Sequence, residues 1–140
     1  MKQSPSNLRF KKYHKLNFFF ASTLEKKRFF PINGNFALKS LESGKLTFRH
    51  IEAGRRTIRR TTKKTGRLWI RMFPYVSVSK KGAGARMGKG KGAHSYWICP
   101  IKKGQILYEL SGVSSYISLR ALYKAGTKMP VKTKVISLMY

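Results

Sequence analysis

The densest chemistry in this sequence lies between positions 76 and 94: Val-Ser-Val-Ser-Lys-Lys-Gly-Ala-Gly-Ala-Arg-Met-Gly-Lys-Gly-Lys-Gly-Ala-His. The stretch holds five cations (Lys80, Lys81, Arg86, Lys89, Lys91), five glycines and no acid. Glycines let backbone N–H groups approach a phosphate closely, and lysines neutralise its charge. Three enzymatic patterns use such residues, and each fails here. A Walker A loop needs Gly, four residues, then Gly-Lys-Ser/Thr; the residue five before Gly88 is Ala83, and Lys89 is followed by Gly90. Gly88, Gly90 and Ala93 fit a dinucleotide fingerprint loosely, but a strand pattern follows where a helix is required, and no βαβ unit is present. His50 and Glu52 supply the H-x-E half of a zinc-deaminase signature, whose other half needs two cysteines; the chain has only Cys99.

The remaining titratable residues add no reaction centre. The four acids are Glu25, Glu42, Glu52 and Glu109, far apart in sequence. The single cysteine excludes a disulfide within the chain and a multi-cysteine zinc site, and is expected as a small core filler. His14, His50 and His94 lack metal-ligand spacing. No catalytic residue, metal or cofactor is expected.

Charge narrows the partner. The chain of 140 residues has 31 Lys and Arg, which with four acids leaves a formal net charge of +27. A compact surface so charged repels itself unless an anionic partner neutralises it. Nucleic acid and an acidic membrane are the candidates. The longest apolar stretch, Leu16 to Ala21, is interrupted by Asn17 and far too short to span a bilayer. An interfacial helix would need a continuous apolar face, and residues 47–65 offer only Ile51 and Ile58 among small and Thr residues. Nucleic acid is therefore expected, with neither a membrane nor a small-molecule substrate as partner. The histidines are read as RNA-facing or surface groups.

The positioning elements follow from periodicity. Residues 1–35 read as an arm, with Lys2, Arg9, Lys11, Lys12, Lys15, Lys26, Lys27 and Arg28 interleaved with Phe10, Tyr13, Phe18, Phe19, Phe20, Phe29 and Phe30. Cations on phosphates and rings on bases would order such a segment on RNA. Its acid-poor first 30 residues fit a transit peptide equally well. Residues 36–140 read as one domain. A helix is predicted over 47–65, with Thr47 as N-cap and Gly66 as the glycine that stops it. Arg49, Arg55, Arg56, Arg59, Arg60, Lys63 and Lys64 fall on one half of its wheel with no acid among them; Ile51, Gly54, Ile58, Thr61 and Thr62 fall on the other. A solvated face would normally mix signs, so a phosphate-binding face is the reading.

Residues 67–73 alternate as a strand, with Arg67, Trp69, Arg71 and Phe73 opposite Leu68, Ile70 and Met72. Strands over 95–101 and 104–110 are predicted to form a hairpin turning at Lys103-Gly104. Ile106, Tyr108 and Leu110 would alternate against Leu107 and Glu109. A second helix is predicted over 114–128, with Ile117, Ala121, Leu122 and Ala125 as its apolar stripe and Pro130 ending it. A last strand runs from Val131 to Leu138. The fold class is α+β: an antiparallel or mixed sheet with two helices, a long Gly/Lys-rich loop over 76–94 and an extended basic N-terminal arm.

At the loop the sequence meets a known pattern. Ala85-Arg86-Met87-Gly88-Lys89-Gly90-Lys91-Gly92 with Tyr96-Trp97 resembles the hallmark of the bacterial-type large-subunit ribosomal protein sixteen family. Leu8 to Lys15, Phe36 to Lys39, Leu46-Thr47, Ile51 to Arg56, Lys64 to Pro74, Gly104 to Val113 and Lys128 to Thr133 fall in the family's order. The resemblance implies an α+β structural constituent of the large ribosomal subunit. Such a protein packs on large-subunit rRNA near the A-site tRNA elbow, beside neighbouring ribosomal proteins. It helps shape the aminoacyl-tRNA site near the peptidyl-transferase centre, where RNA performs catalysis. Arg86, Met87, Lys89 and Lys91 would stand at the loop tip, with Lys80, Lys81, Gly88, Gly90 and Gly92 completing a tRNA-site loop. Arg9, Lys11, Lys12, Lys15, the seven cations of the first helix, Arg67 and Arg71 would bind rRNA. The absence of aspartate and the aromatic drift of the arm over 16–35 suggest an organellar member, mitochondrial in the first instance, with plastid or bacterial cytoplasm as the alternative. A free-standing RNA chaperone using the same basic surface is the competing function.

Overall fold

The structure is a computed structural model that describes residues 4–6, 8–14 and 28–138. Seven strands and two helices follow in the order β1 (Phe36–Ser40), β2 (Gly44–Thr47), α1 (Phe48–Thr61), β3 (Arg67–Ile70), β4 (Val76–Lys80), β5 (Ala93–Ile101), β6 (Ile106–Ser111), α2 (Ser115–Gly126) and β7 (Thr133–Ser137). They form two antiparallel sheets: a four-stranded sheet ordered β3-β6-β1-β7 and a three-stranded sheet ordered β2-β5-β4.

The sequence motif around Tyr108 explains the larger sheet. From Ile106 to Leu110 every residue is buried, because β6 is an inner strand covered on both faces. Tyr108 faces α1, where its hydroxyl donates to the Ile51 carbonyl at 2.7 Å. Burial pushes its phenol well above the usual tyrosine range, so it remains a donor at any working pH. Leu38 and Ile70 sit opposite Tyr108 on the neighbouring strands and share that face. Glu109 points to the other face, beside Ala37 and Trp69.

Helix α1 packs against α2. It buries Ile51, Gly54 and Ile58, each at helical spacing. Burying each isoleucine stabilises the fold by about 1.5–3 kcal/mol. Gly54 permits the close approach. A methyl group there would lie 2.5 Å from Tyr108 Oη and 2.6 Å from Met129 Cε. The Met129 tip can move, but the tyrosine is held by its hydrogen bond. Gly54→Ala is therefore expected to destabilise the domain by about 1–3 kcal/mol despite alanine's better helix propensity, read as a lower urea midpoint.

Several expectations from the sequence need correction. The strands 95–101 and 104–110 do not form a hairpin: β5 and β6 belong to different sheets. The Lys103-Gly104 turn exists, but it hands the chain between the sheets, with the Gly104 N–H bonded to the Ser40 carbonyl at 2.8 Å. β5 instead forms the hairpin with β4, so residues 76–80 and 93–94 are strand and only the segment between them is loop. Helix α1 stops at Thr61, with Thr62 as C-cap. Lys63 and Lys64 take the left-handed conformation expected of a stop residue, at φ 50° and 66°. Gly66 has another duty: a Cβ there would meet Val113 Cγ2 at 2.4 Å and the Ser111 carbonyl at 2.5 Å. In α2 the inward residue of the first turns is Ser118, while Ile117 is exposed. The Ser118 hydroxyl reaches the Val113 carbonyl, 3.3 Å away, and so satisfies itself inside. Strand β3 ends at Ile70, before the predicted Phe73. β1 and β2 are strands beyond those that periodicity predicts.

Candidate nucleic-acid interface

Each described acid is engaged inside the chain. Glu42 pairs with Lys132 at 3.2 Å. Glu52 accepts Arg55 Nη2 at 2.6 Å and Arg56 Nε at 3.0 Å. Glu109 is fully buried. Its Oε2 accepts the backbone N–H groups of Ile32, Asn33 and Gly34 at 3.2, 2.7 and 3.1 Å, and its Oε1 pairs with Arg71. Glu25 lies outside the described residues.

This sorts the cations proposed from the sequence. The outer face of α1 carries Arg49, Arg56, Arg60 and, beyond its end, Lys63 and Lys64, all exposed. It is not acid-free, as the sequence reading held, because Glu52 reaches Arg55 and Arg56. Arg59 turns toward the helix end and donates to the Lys64 and Gly66 carbonyls at 3.2 and 3.0 Å. Arg71 serves Glu109 and Arg67 is exposed at the sheet edge. Among the described residues, no hydrogen bond or ion pair ties the side chains of Arg49, Arg60, Lys63, Lys64 or Arg67.

The Arg55 hydrogen bond pulls the Glu52 carboxyl down to about 2. Because this lies below the ordinary unfolded value of 4.5, the stabilisation from Glu52 is complete above the unfolded value. It disappears as pH falls toward about 2. Glu52→Gln is expected to flatten the acid limb of stability across that window, measured by circular dichroism during acid titration.

The glycine-lysine loop projects from the β4–β5 hairpin. At its base Gly92 is required: a Cβ would lie 2.6 Å from the Lys80 carbonyl carbon. At the tip Gly88, Lys89 and Gly90 are consecutively left-handed, at φ 87°, 52° and 84°. Glycine does this at little cost; Lys89 does so under strain. Met87 is 95% exposed. Arg86, Lys89 and Lys91 are exposed beside it, Lys80 is exposed at the hairpin end, and Lys81 donates to the Gly88 carbonyl. The arm reaches this loop. Lys12 Nζ donates to the Lys91 carbonyl at 3.4 Å, and Lys91 Nζ donates to the Tyr13 carbonyl. Arg9 stacks over Phe10, 5.5 Å from the ring centre, and Lys11 is exposed. Lys15 and the aromatics Phe18, Phe19 and Phe20 lie outside the described residues.

One feature escaped the sequence reading. His50 and His94, far apart in the chain, line the same groove of about 680 Å³ between the start of α1 and β5. His50 Nδ1 accepts the Thr47 N–H at 3.3 Å, capping the helix. His94 Nδ1 bonds Ser77 Oγ at 2.7 Å, and its ring lies 4.6 Å from that of Trp97. The signal available was Tyr96-Trp97 in a strand otherwise expected to be half-buried.

Among the described residues, no helix is long and apolar enough to cross a membrane, and no group of three His, Cys, Asp or Glu could hold a metal. The surface instead presents unpaired cations, glycine-exposed backbone and aromatic rings. Residues 5–136 match the family described as Ribosomal protein L16p/L10e. The chain is similar to large ribosomal subunit protein uL16c of Stigeoclonium helveticum, at 47% identity over 95% of this chain and 96% of that protein. It is also similar to uL16 of Pelagibacter ubique, at 50% identity over 74% of this chain and 76% of that one. A third relative, uL16 of Maricaulis maris, is 43% identical over 95% of each. The chain thus belongs to the L16p/L10e ribosomal protein family, non-enzymatic constituents of the large ribosomal subunit that partner with rRNA.

Proposed function

We propose that this protein grips large-subunit rRNA with the outer face of α1 and its arm, and holds the β4–β5 loop at the aminoacyl-tRNA site. The observation that carries this reading is the hairpin loop itself. Its cations and Met87 stand in solvent, away from the core, with the arm lying against it. Arg49, Arg60, Lys63, Lys64 and Arg67 are the foremost rRNA phosphate ligands. Arg55, Arg56 and Arg59 are pre-oriented by their internal partners and offer their remaining N–H groups. Arg71 acts first as the counter-ion of Glu109. Arg9, Lys11, Lys12 and Lys15 extend the contact along the arm. Residues 1–35 then form the arm and 36–140 the domain that carries the loop. Arg86, Met87, Lys89 and Lys91, spaced by Gly88, Gly90 and Gly92 and backed by Lys80 and Lys81, form the tip that meets the tRNA acceptor end and elbow region. The aromatics of the arm pack on a neighbouring ribosomal protein.

The ribosome is proposed to be mitochondrial, on the absence of aspartate and the aromatic arm. The named relatives, a uL16c and bacterial uL16 proteins, favour a plastid or bacterial ribosome as the second reading. Sucrose-gradient fractionation of organelle lysates, with mass spectrometry following this chain, tests both. Co-migration with the large subunit through a salt wash is expected, and the organelle in which it occurs decides between the homes. Migration at the top of the gradient would instead support a free RNA chaperone.

A further inference from the structure

The groove between α1 and β5 is built by a mismatch in strand length. β2 covers β5 only over Ile98–Ile101, with Thr47 opposite Ile98. At Thr47 the chain turns directly into α1, while β5 continues back to Ala93. Among the described residues, one edge of β5 from Ala93 to Trp97 is therefore left without a partner strand, under the first turn of α1. The walls are Phe48, Arg49 and His50 on one side and His94, Tyr96 and Trp97 on the other. A groove of about 680 Å³ is of the size that holds a small ligand or a nucleotide. Its rings are set in advance: Ser77 holds His94, which leans on Trp97 at an interplanar angle of 44°. Tyr96 remains 46% exposed.

From this geometry we infer that the groove receives one unpaired nucleotide of the large-subunit rRNA. The base stacks on the ring pair of His94 and Trp97, which share one face of β5, its edge meets the open backbone of β5, and its phosphate lies on Arg49. A base has the flat π-face that such walls recognise, and sequence-selective RNA contact favours splayed, unstacked bases over duplex. Arg49 also begins the cationic face of α1, so the groove is continuous with the proposed rRNA surface. The inference rests on that rRNA-binding reading and adds a subsite to it.

Two experiments test it. In the first, Trp69→Phe leaves Trp97 as the sole tryptophan of the full chain, which is titrated with a short oligouridine and with inorganic polyphosphate. Saturable quenching by the oligonucleotide alone is expected, with His94→Ala weakening it about tenfold and leaving polyphosphate binding, followed by filter retention, unchanged. Equal quenching by polyphosphate, or insensitivity to His94→Ala, would overturn the subsite while sparing the rRNA reading. Binding of neither anion would remove the rRNA reading and the subsite with it. In the second, purified large subunits free of tRNA are irradiated with ultraviolet light and the adducts mapped by mass spectrometry. An rRNA nucleotide on the peptide spanning residues 93–101 is expected. An adduct that appears only when tRNA is added would overturn the assignment to rRNA, and adducts on α1 without one on β5 would overturn the groove as the site.

Discussion

Glu109→Ala is expected to lower the unfolding free energy by about 3–5 kcal/mol, a large share of the roughly 5–15 kcal/mol that holds a domain of this size together. The carboxylate is fully buried in the middle of β6, with Ala37 and Trp69 on the flanking strands. A charge in that place is tolerated because both its oxygens meet donors: three successive N–H groups at residues 32–34 and the Arg71 guanidinium. Removing it leaves three backbone donors without their acceptor, that of Gly34 fully buried, and it unties the segment that leads into β1. Arg71→Met should cost less, because the three N–H groups still satisfy the carboxylate and Arg71 keeps some solvent contact, at 19% side-chain exposure. Urea denaturation of both variants and of the double variant measures this. A coupling of about 0.5–3 kcal/mol between the two sites is expected; strict additivity would mean that the ion pair contributes nothing.

The second large effect concerns affinity. Replacing Arg49, Arg60, Lys63 and Lys64 together by alanine should shallow the salt dependence of rRNA binding. Each lost phosphate contact removes about 0.7–0.9 from the slope of log affinity against log salt, so the four remove about 3. At moderate salt such a change amounts to orders of magnitude in affinity. The matched control is Arg55, Arg56 and Arg59 to alanine, which loses contacts to Glu52 and to the helix end as well. That variant should lose helix stability along with slope, whereas the first should lose slope alone. Filter binding to large-subunit rRNA over a salt series, beside thermal unfolding of the free proteins, separates them. An unchanged slope in the first variant would remove α1 from the interface. The loop behaves differently: Lys89→Ala and Lys91→Ala should change bulk affinity little, because positioning contacts set register more than they set strength.

What the sequence determined by itself is whatever depends on local order. The period of Ile51, Gly54 and Ile58 marked the buried face of α1, and the run of arginines and lysines marked its outer one. Thr47 announced the start of that helix, and the alternation of Leu68 and Ile70 against Trp69 set the faces of β3. The glycine-lysine loop and the anionic partner were legible from composition, and the α+β class from periodicity. Tertiary structure alone decided which strands pair. The turn at Lys103-Gly104 looks like a hairpin turn locally, yet β5 finds β2 and β4 while β6 finds β1 and β3, because buried strands choose neighbours by the apolar surface they cover. The same long-range pairing gave Gly66 its packing role against Val113. It also turned Arg71 from a surface cation into the partner of a buried acid, and brought His50 and His94 to one groove. Charge and periodicity are properties of neighbours in the chain; a site is a property of neighbours in space, and only the pairing of distant strands makes those.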